Sequence, residues 1–349
     1  MTAATTSEAT NRAAVLYAVG DVRVEDRPVP VPGPREVLVE VRSVGVCGSD
    51  VHYYEHGRIA DFVVREPMIL GHEAAGVIVA LGERADKHQI GQRVAMEPGV
   101  PCGSCQQCRV GRYNLCPYVR FFATPPIDGA FATFVVIDED FAHPVPDSLS
   151  DDAAALIEPF SVGLWACRKA GVQPGESVLV TGAGPIGLLA MQAARCAGAG
   201  ELTITDVNPS RLELARKLGA SRTLDVRSEP LADAGVQADV LLECSGNLTA
   251  VTEGFGSLLP AGRAVLVGMG GDDVPLPLGL IQARELIVTG TFRYANIYPA
   301  AIALAATGQV DLDSLVTGRY GLDDAEEALK ASRSDPAAVK TVVAPSPAA

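Results

Sequence analysis

Apolar and polar residues alternate along Val15 to Val24 and again along Val37 to Gly45, the two-residue period of a half-buried strand. Pro28, Pro30, Pro32, Gly33 and Pro34 lie between them and predict a stiffened connection. Gly76 to Leu81 and Arg93 to Met96 predict shorter strands around Gly82 and Gly91. No helical period of any length precedes Asp151, so the first part of the chain is expected to be β-rich. From there the pattern changes. Asp151 to Ala170 carries an apolar face with Ala154, Leu156 and Val162 and predicts a helix with Asp151 as its N-cap. Short apolar runs at Ser177 to Thr181, Leu202 to Thr205, Ala238 to Cys244, Arg263 to Gly268 and Leu286 to Gly290 follow. Helical stretches at Leu188 to Gly198 and Arg211 to Leu218 separate the first of them, the alternation of a parallel, doubly wound α/β sheet. Helices near Ile302 to Thr307 and Asp323 to Ala331 and a closing strand at Ala337 to Val343 complete the chain, with no internal repeat.

At 349 residues the chain exceeds what one core serves, so two domains are expected. Its 42 acidic residues against 28 Lys and Arg give a net charge of -14, which repels phosphate backbones and anionic lipid and argues against nucleic-acid and membrane-surface roles. No apolar run approaches the roughly 20 residues of a membrane helix. The opening MTAATTSEATNR lacks the apolar core of a signal peptide and reads as a frayed terminus, and the closing APSPAA reads as a mobile tail. A cytoplasmic location follows as an expectation, and in that reducing setting clustered cysteines are metal ligands more often than disulfides.

Four of the eight cysteines are clustered. Cys102, Cys105, Cys108 and Cys116 follow C-x2-C-x2-C-x7-C, a spacing that wraps one tetrahedral zinc with no open position. An iron–sulfur cluster is the competing occupant, and the run matches no two-cluster ferredoxin pattern. Cys167, Cys196 and Cys244 stand singly and read as packing residues. Cys47, His72 and Glu73 offer the thiolate, imidazole and carboxylate that hold a catalytic zinc with a position left open. Alone, Cys47 reads as a small buried hydrophobe; the four-cysteine run strengthens the metal reading. Glu158, an acid in an apolar setting before Pro159, is either a solvated helix residue or a paired or metal-bound carboxylate. The apolar run at Ser177 leads into Gly182, Gly184 and Gly187 and then a helix, with an acid, Asp206, about 20 residues on, which is the dinucleotide-binding fingerprint. Asp206 would accept both adenosine ribose hydroxyls and repel a 2'-phosphate, so NAD is expected over NADP. Arg211 is the nearest cation that complicates this.

The passages GVCGSDVHYYEHGRIADFVV, LGHEAAG, MEPGVPCGSCQQC, GRYNLC, FFATPPIDGAFA, LIEPFSVGLWACRKAG, GAGPIGL and TGTFRYANIYP are similar to those of the zinc-dependent medium-chain dehydrogenases. Within that family the chain resembles the polyol branch, typified by sorbitol (L-iditol) and xylitol dehydrogenases, from about Ala13 to Val343. The resemblance implies an α/β chain with a β-rich GroES-like catalytic domain at 1–156 and 292–349, carrying a zinc lobe near 98–118, and a doubly wound Rossmann NAD-binding domain at 157–291. It implies two zincs, a catalytic one at Cys47, His72 and Glu73 with Glu158 on the metal or its water, and a structural one at the four-cysteine lobe. Asp50 would orient His72, Ser49 and His52 would relay a proton, and Gly182, Gly184, Pro185, Ile186, Gly187, Asp206 and Arg211 would hold NAD. Tyr53, Phe121, Thr124, Glu158, Arg293 and Tyr294 would face a polyol whose secondary hydroxyl is oxidised to a ketose. A homo-oligomer, as a tetramer, is also implied. The competing functions are a threonine or secondary-alcohol dehydrogenase on the same scaffold, and an NAD-binding protein without catalysis.

Overall fold

In the computed structural model, which describes residues 10–271 and 273–346, the N-terminal alternation is a hairpin of Asn11–Ala18 and Asp21–Arg27. The single strand expected over Val15 to Val24 is two, because Gly20 turns the chain at φ 74°, where a side chain would be strained. Residues 1–9 of the expected frayed terminus and 347–349 of the expected mobile tail lie outside the described residues. Asn11 and Arg12 already belong to the hairpin, and Pro345 and Ser346 are buried.

The chain gathers into two compact units, one holding the described residues up to Glu158 and from Leu312 onward, the other Pro159–Asp311. The first is built on a seven-stranded sheet. Its path runs Ala142–Pro144, Arg93–Met96, Glu73–Leu81, Glu36–Gly45, Lys340–Ala344 and Val316–Gly321, and Phe134–Asp138 also pairs with Glu36–Gly45. Val37, Val39, Ile78, Met96 and Phe131 pack into its core at 0–1% exposure. The register sets Glu73 against Gly45 and brings Val342 against Gly45 from the other side, so the closing strand reaches the Glu73 region.

Two expectations for this unit need correction. A helix, Gly48–His56, occurs well before Asp151. It buries Asp50, Val51, Tyr53 and Tyr54, and because a buried acid replaces an apolar residue on its inner face, no apolar period marks it. The later helix starts from Ser150, whose hydroxyl accepts the Ala153 N–H at 2.9 Å, while Asp151 lies inside the helix and pairs with Arg93. It runs over Asp151–Ala155 and resumes as Ile157–Ala170.

The second unit is a six-stranded parallel sheet in the order Arg222–Asp225, Glu201–Asp206, Ser177–Thr181, Ala238–Glu243, Leu258–Leu266, Ile287–Gly290. By sequence this is 3-2-1-4-5-6, the doubly wound order whose reversal lies between the first and fourth strands. Leu179, Leu241 and Phe255 sit at 0% exposure in its core. The segment after residue 291, expected with the catalytic domain, packs here as far as Asp311. Gln192, buried on the helix Pro185–Cys196, donates to the Asp311 carbonyl at 3.1 Å and accepts the Asp311 N–H at 2.8 Å. Both ends of the buried Gln192 amide are thereby satisfied.

Candidate active site

Cys47 caps the helix Gly48–His56, and Asp50 in its first turn is fully buried. One Asp50 oxygen accepts the Cys47 N–H and the other the Gly71 N–H, both at 2.9 Å. His72 Nδ1 stands 3.6 Å from the same carboxylate. A single carboxylate thus ties together the two loops that carry Cys47 and His72, and Gly71 is held at φ 85° with no room for a side chain against Phe131 and Val44. Burial pushes the Asp50 pKa up, but His72 and the two N–H groups bring it below its ordinary value. Burial pushes His72 down, and Asp50 with Cys47 raises it well above the usual imidazole range.

Glu73 is 1% exposed. Lys340 Nζ, on the closing strand and itself buried, lies 2.5 Å from each of its oxygens, donates a well-directed hydrogen bond only to Oε1, and also donates to the Val46 carbonyl at 2.8 Å. Glu73 Oε2 is therefore buried without a hydrogen-bond donor, although its charge is paired. Burial lowers the Lys340 pKa, and Glu73, Cys47 and Glu158 raise it above the ordinary lysine value. The Cys47, His72 and Glu73 ligand atoms lie within 4.8 Å of one another. A sulfur, an imidazole nitrogen and an orphaned carboxylate oxygen at that spacing suit zinc. Glu158, 5% exposed, stands outside that trio but close enough to act on Lys340.

Of the other predicted residues of this unit, Phe121 reaches the trio, Ser49, His52 and Tyr53 lie on the Cys47 helix, and Thr124 lies three residues beyond Phe121. Phe121 is buried with its ring 5.7 Å from that of His72, and Gly99 lets it in: a Cβ there would meet the ring at 2.8 Å. Thr124 follows at a turn in which its N–H donates to the Phe121 carbonyl at 3.1 Å. Tyr53 is buried on the Cys47 helix. Ser49 is half-buried one turn before exposed His52, on one face of the helix, and the His52 ring packs edge-on at 4.6 Å against His56. Arg293 and Tyr294 belong to the second unit, where Arg293 has φ 53° and stacks over Phe292 at 4.8 Å and Tyr294 is buried 5.6 Å from Tyr298.

Cys102, Cys105, Cys108 and Cys116 also lie within 4.8 Å of one another. Backbone N–H groups of Cys105 and Tyr118 point at the Cys102 and Cys116 sulfurs, each at 3.4 Å. The Ser104 and Cys105 N–H groups pull the Cys102 thiol down to about 6, while burial and then its neighbouring thiols push Cys108 up to about 12. Four sulfurs this close repel one another as thiolates, so the cage suits a cation that neutralises them. Tyr113, inside the lobe, anchors it to the sheet by donating to buried Glu97 at 2.6 Å, and His143 holds the other Glu97 oxygen at 2.8 Å. Because a four-thiolate zinc contributes to folding and leaves no reactive position, Cys105→Ser is expected to lower soluble yield and thermal midpoint. Turnover per folded, zinc-loaded catalytic centre should change by less than about threefold; a mutant with unchanged melting would contradict this.

In the second unit Gly184 caps the helix Pro185–Cys196, with open space where its side chain would be. A Cβ on Gly187 would fall 1.8 Å from the Gly182 carbonyl, so the turn needs glycine at 187. Asp206, at the end of its strand, accepts the Ala183 N–H of this loop at 2.6 Å and the Asn208 N–H at 2.8 Å. Arg211 lies in the first turn of the next helix, Pro209–Lys217, where Asn208 accepts its N–H at 3.3 Å. A helix N-terminus opened by glycines suits a pyrophosphate, and an acid fixed beside it suits a ribose. Lys340 and Glu243 are functional candidates that sequence reasoning missed; the only signal for either is an ionisable residue inside an apolar strand, VKTVV and DVLLEC.

A β-rich unit with one open and one closed metal centre, followed by a nucleotide-type sheet, defines a metal-dependent dehydrogenase. The chain belongs to the zinc-binding alcohol dehydrogenase family: residues 33–147 match the alcohol dehydrogenase GroES-like domain and residues 185–307 the zinc-binding dehydrogenase domain. It is 44% identical to sorbitol dehydrogenase of Bacillus subtilis (strain 168) over 328 residues, 91% of this chain and 92% of that protein. It is 41% identical to a probable D-xylulose reductase A of Aspergillus fumigatus, over 97% of this chain and 98% of that one. A solved oxidoreductase/dehydrogenase of unknown specificity from Escherichia coli superposes with a TM-score of 0.93 at 35% identity, over 96% of this chain and 99% of that one. Among the described residues no helix is long and apolar enough to cross a membrane.

Proposed function

We propose that this protein is an NAD-dependent zinc polyol dehydrogenase, oxidising a secondary hydroxyl of a sugar alcohol of the sorbitol or xylitol type to a ketose. The observation that carries this reading is the Cys47, His72 and Glu73 trio, with its ligand atoms within 4.8 Å, in a chain 44% identical to a sorbitol dehydrogenase over 91% of its length. The trio would hold one zinc and the four-cysteine lobe a second. When bound, the catalytic ion polarises the substrate hydroxyl and lowers its pKa toward neutrality. The released proton would leave through the Ser49 hydroxyl and the cofactor ribose toward His52, which is exposed and can return it to water. Glu158 stays beside the metal site as an acceptor for a substrate or water hydroxyl. Tyr53, Phe121, Thr124, Arg293 and Tyr294 complete the substrate contacts, because a polyol leaves buried polar partners unpaired when a simple alcohol replaces it. Gly182, Gly184, Pro185, Ile186 and Gly187 cradle the pyrophosphate, and Asp206 takes the ribose and opposes a 2'-phosphate.

A substrate panel tests the reading. With zinc-loaded protein, kcat/KM for sorbitol, xylitol, ribitol or arabitol is expected to exceed that for 2-butanol and threonine by at least about tenfold, and NAD to outperform NADP by a similar margin. Activity confined to threonine or 2-butanol would overturn the polyol assignment.

A further inference from the structure

A buried acid at the carboxyl end of the parallel sheet has no part in the chemistry above. Glu243 closes the strand Ala238–Glu243 and is 1% exposed. Its carboxylate accepts Thr181 Oγ1 at 3.2 Å, Ser245 N at 2.9 Å, Ser245 Oγ at 2.5 Å and Gly246 N at 3.1 Å. Every one of these donors is a neutral N–H or O–H, and none of the ion pairs among the described residues includes Glu243. A surround made only of donors is the one an acceptor-only carboxylate anion satisfies.

Thr181 and Glu243 end the first and fourth strands, which are neighbours where the strand order reverses. The crevice beyond the carboxyl ends at that reversal is where doubly wound sheets take their ligand. The loops there are packed backbone to backbone around the Glu243 side chain. A Cβ on Gly182 would stand 3.0 Å from Ser245, one on Gly246 would stand 2.4 Å from the Met269 carbonyl, and one on Gly268 would stand 2.2 Å from the Gly246 nitrogen. The Glu243 carbonyl also accepts the Val267 and Gly268 N–H groups at 2.8 and 2.9 Å. Glu243 is thus the point at which the glycine-rich turn, the Ser245–Gly246 turn and the Val267–Gly268 segment meet.

We propose that Glu243 is a positioning residue for the nicotinamide cofactor and that its fixed negative charge selects the oxidised form. The inference rests on the cofactor reading above. The nicotinamide ring is cationic in NAD and neutral in NADH, so an uncompensated anion at the crevice stabilises the first and not the second, whereas loop order affects both alike. The charge therefore favours binding of the oxidant in the alcohol-oxidising direction and release of its reduced product.

Calorimetric titration of zinc-loaded protein with NAD and, separately, with NADH tests this. In Glu243→Gln the Kd for NAD should rise about tenfold and that for NADH by less than about threefold. In Ser245→Ala, which loosens the turn and keeps the charge, both should rise by the same factor. Equal losses of both forms in Glu243→Gln would overturn the charge role. Glu243→Asp keeps the charge with a shorter reach and decides the matter if the Gln variant does not fold. It should retain the wild-type ratio of the two Kd values, and a ratio shifted against NAD in that variant would overturn the proposal as well. Wild-type protein that binds neither form would instead overturn the cofactor reading.

Discussion

Replacing Lys340 by Met should lower the thermal midpoint of the metal-free protein by on the order of 10 °C, and that of the zinc-loaded protein by much less. Lys340 and Glu73 are both buried, and Lys340 is the cation that Glu73 faces. Removing one partner of such a pair leaves a charge stranded in a poorly polarisable interior, at about 3–5 kcal/mol. Methionine fills a similar volume, so the loss reports the charge and the hydrogen bond to the Val46 carbonyl more than a cavity. A zinc held by Cys47, His72 and Glu73 supplies a cation to the same carboxylate and narrows the gap between mutant and wild type. Melting curves recorded with chelator and with added zinc measure both gaps; an equal gap in the two conditions would mean that Glu73 does not face the metal.

The second large effect is expected from Asp50→Asn, a change of one atom. Asp50 receives N–H groups from both ligand-bearing loops and stands by His72 Nδ1. An asparagine presents an NH2 to one of those donors, so either the Cys47 or the Gly71 N–H loses its acceptor and the loop behind it loosens. Zinc affinity at the catalytic trio should fall by about 10–100-fold. Competition with a chromophoric chelator resolves this, because of two zinc-release phases only the one belonging to the trio should shift while the four-cysteine phase stays in place. Two unshifted phases would show that the carboxylate does not support the metal loops.

The sequence made the second unit and the metal donors legible because each depends on local spacing. Glycines at 182, 184 and 187 and cysteines at 102, 105, 108 and 116 must sit close in the chain to act together, and they do. Lys340 was hidden because it meets Glu73 through pairing of the closing strand with Glu36–Gly45, a contact across 267 positions. The helix Gly48–His56 was hidden because its buried face carries Asp50 and two tyrosines instead of an apolar stripe; its local period gives way to what the ligand loops require. The end of the second unit was misplaced for a similar reason. TGTFRYANIYP shows its family resemblance as a substrate segment, but the hydrogen bonds of Gln192 to Asp311 that fix where the chain leaves the unit leave no mark in local pattern.

The base of the four-cysteine lobe is closed by two short antiparallel strands, with Gly99 opposite Phe121 and Val100 opposite Arg120. The chain therefore leaves and re-enters the domain at almost one point, and residues 101–119 form a cassette whose two ends already touch. Such an excursion can shorten or lengthen without moving any strand of the main sheet, so long as its four thiols and the Tyr113 bond to Glu97 are kept. The seam is fixed as well, since Phe121, its last residue, rests on His72. A protein engineer grafting a different lobe would have to keep Gly99 and Phe121 and supply a donor to buried Glu97 in place of Tyr113.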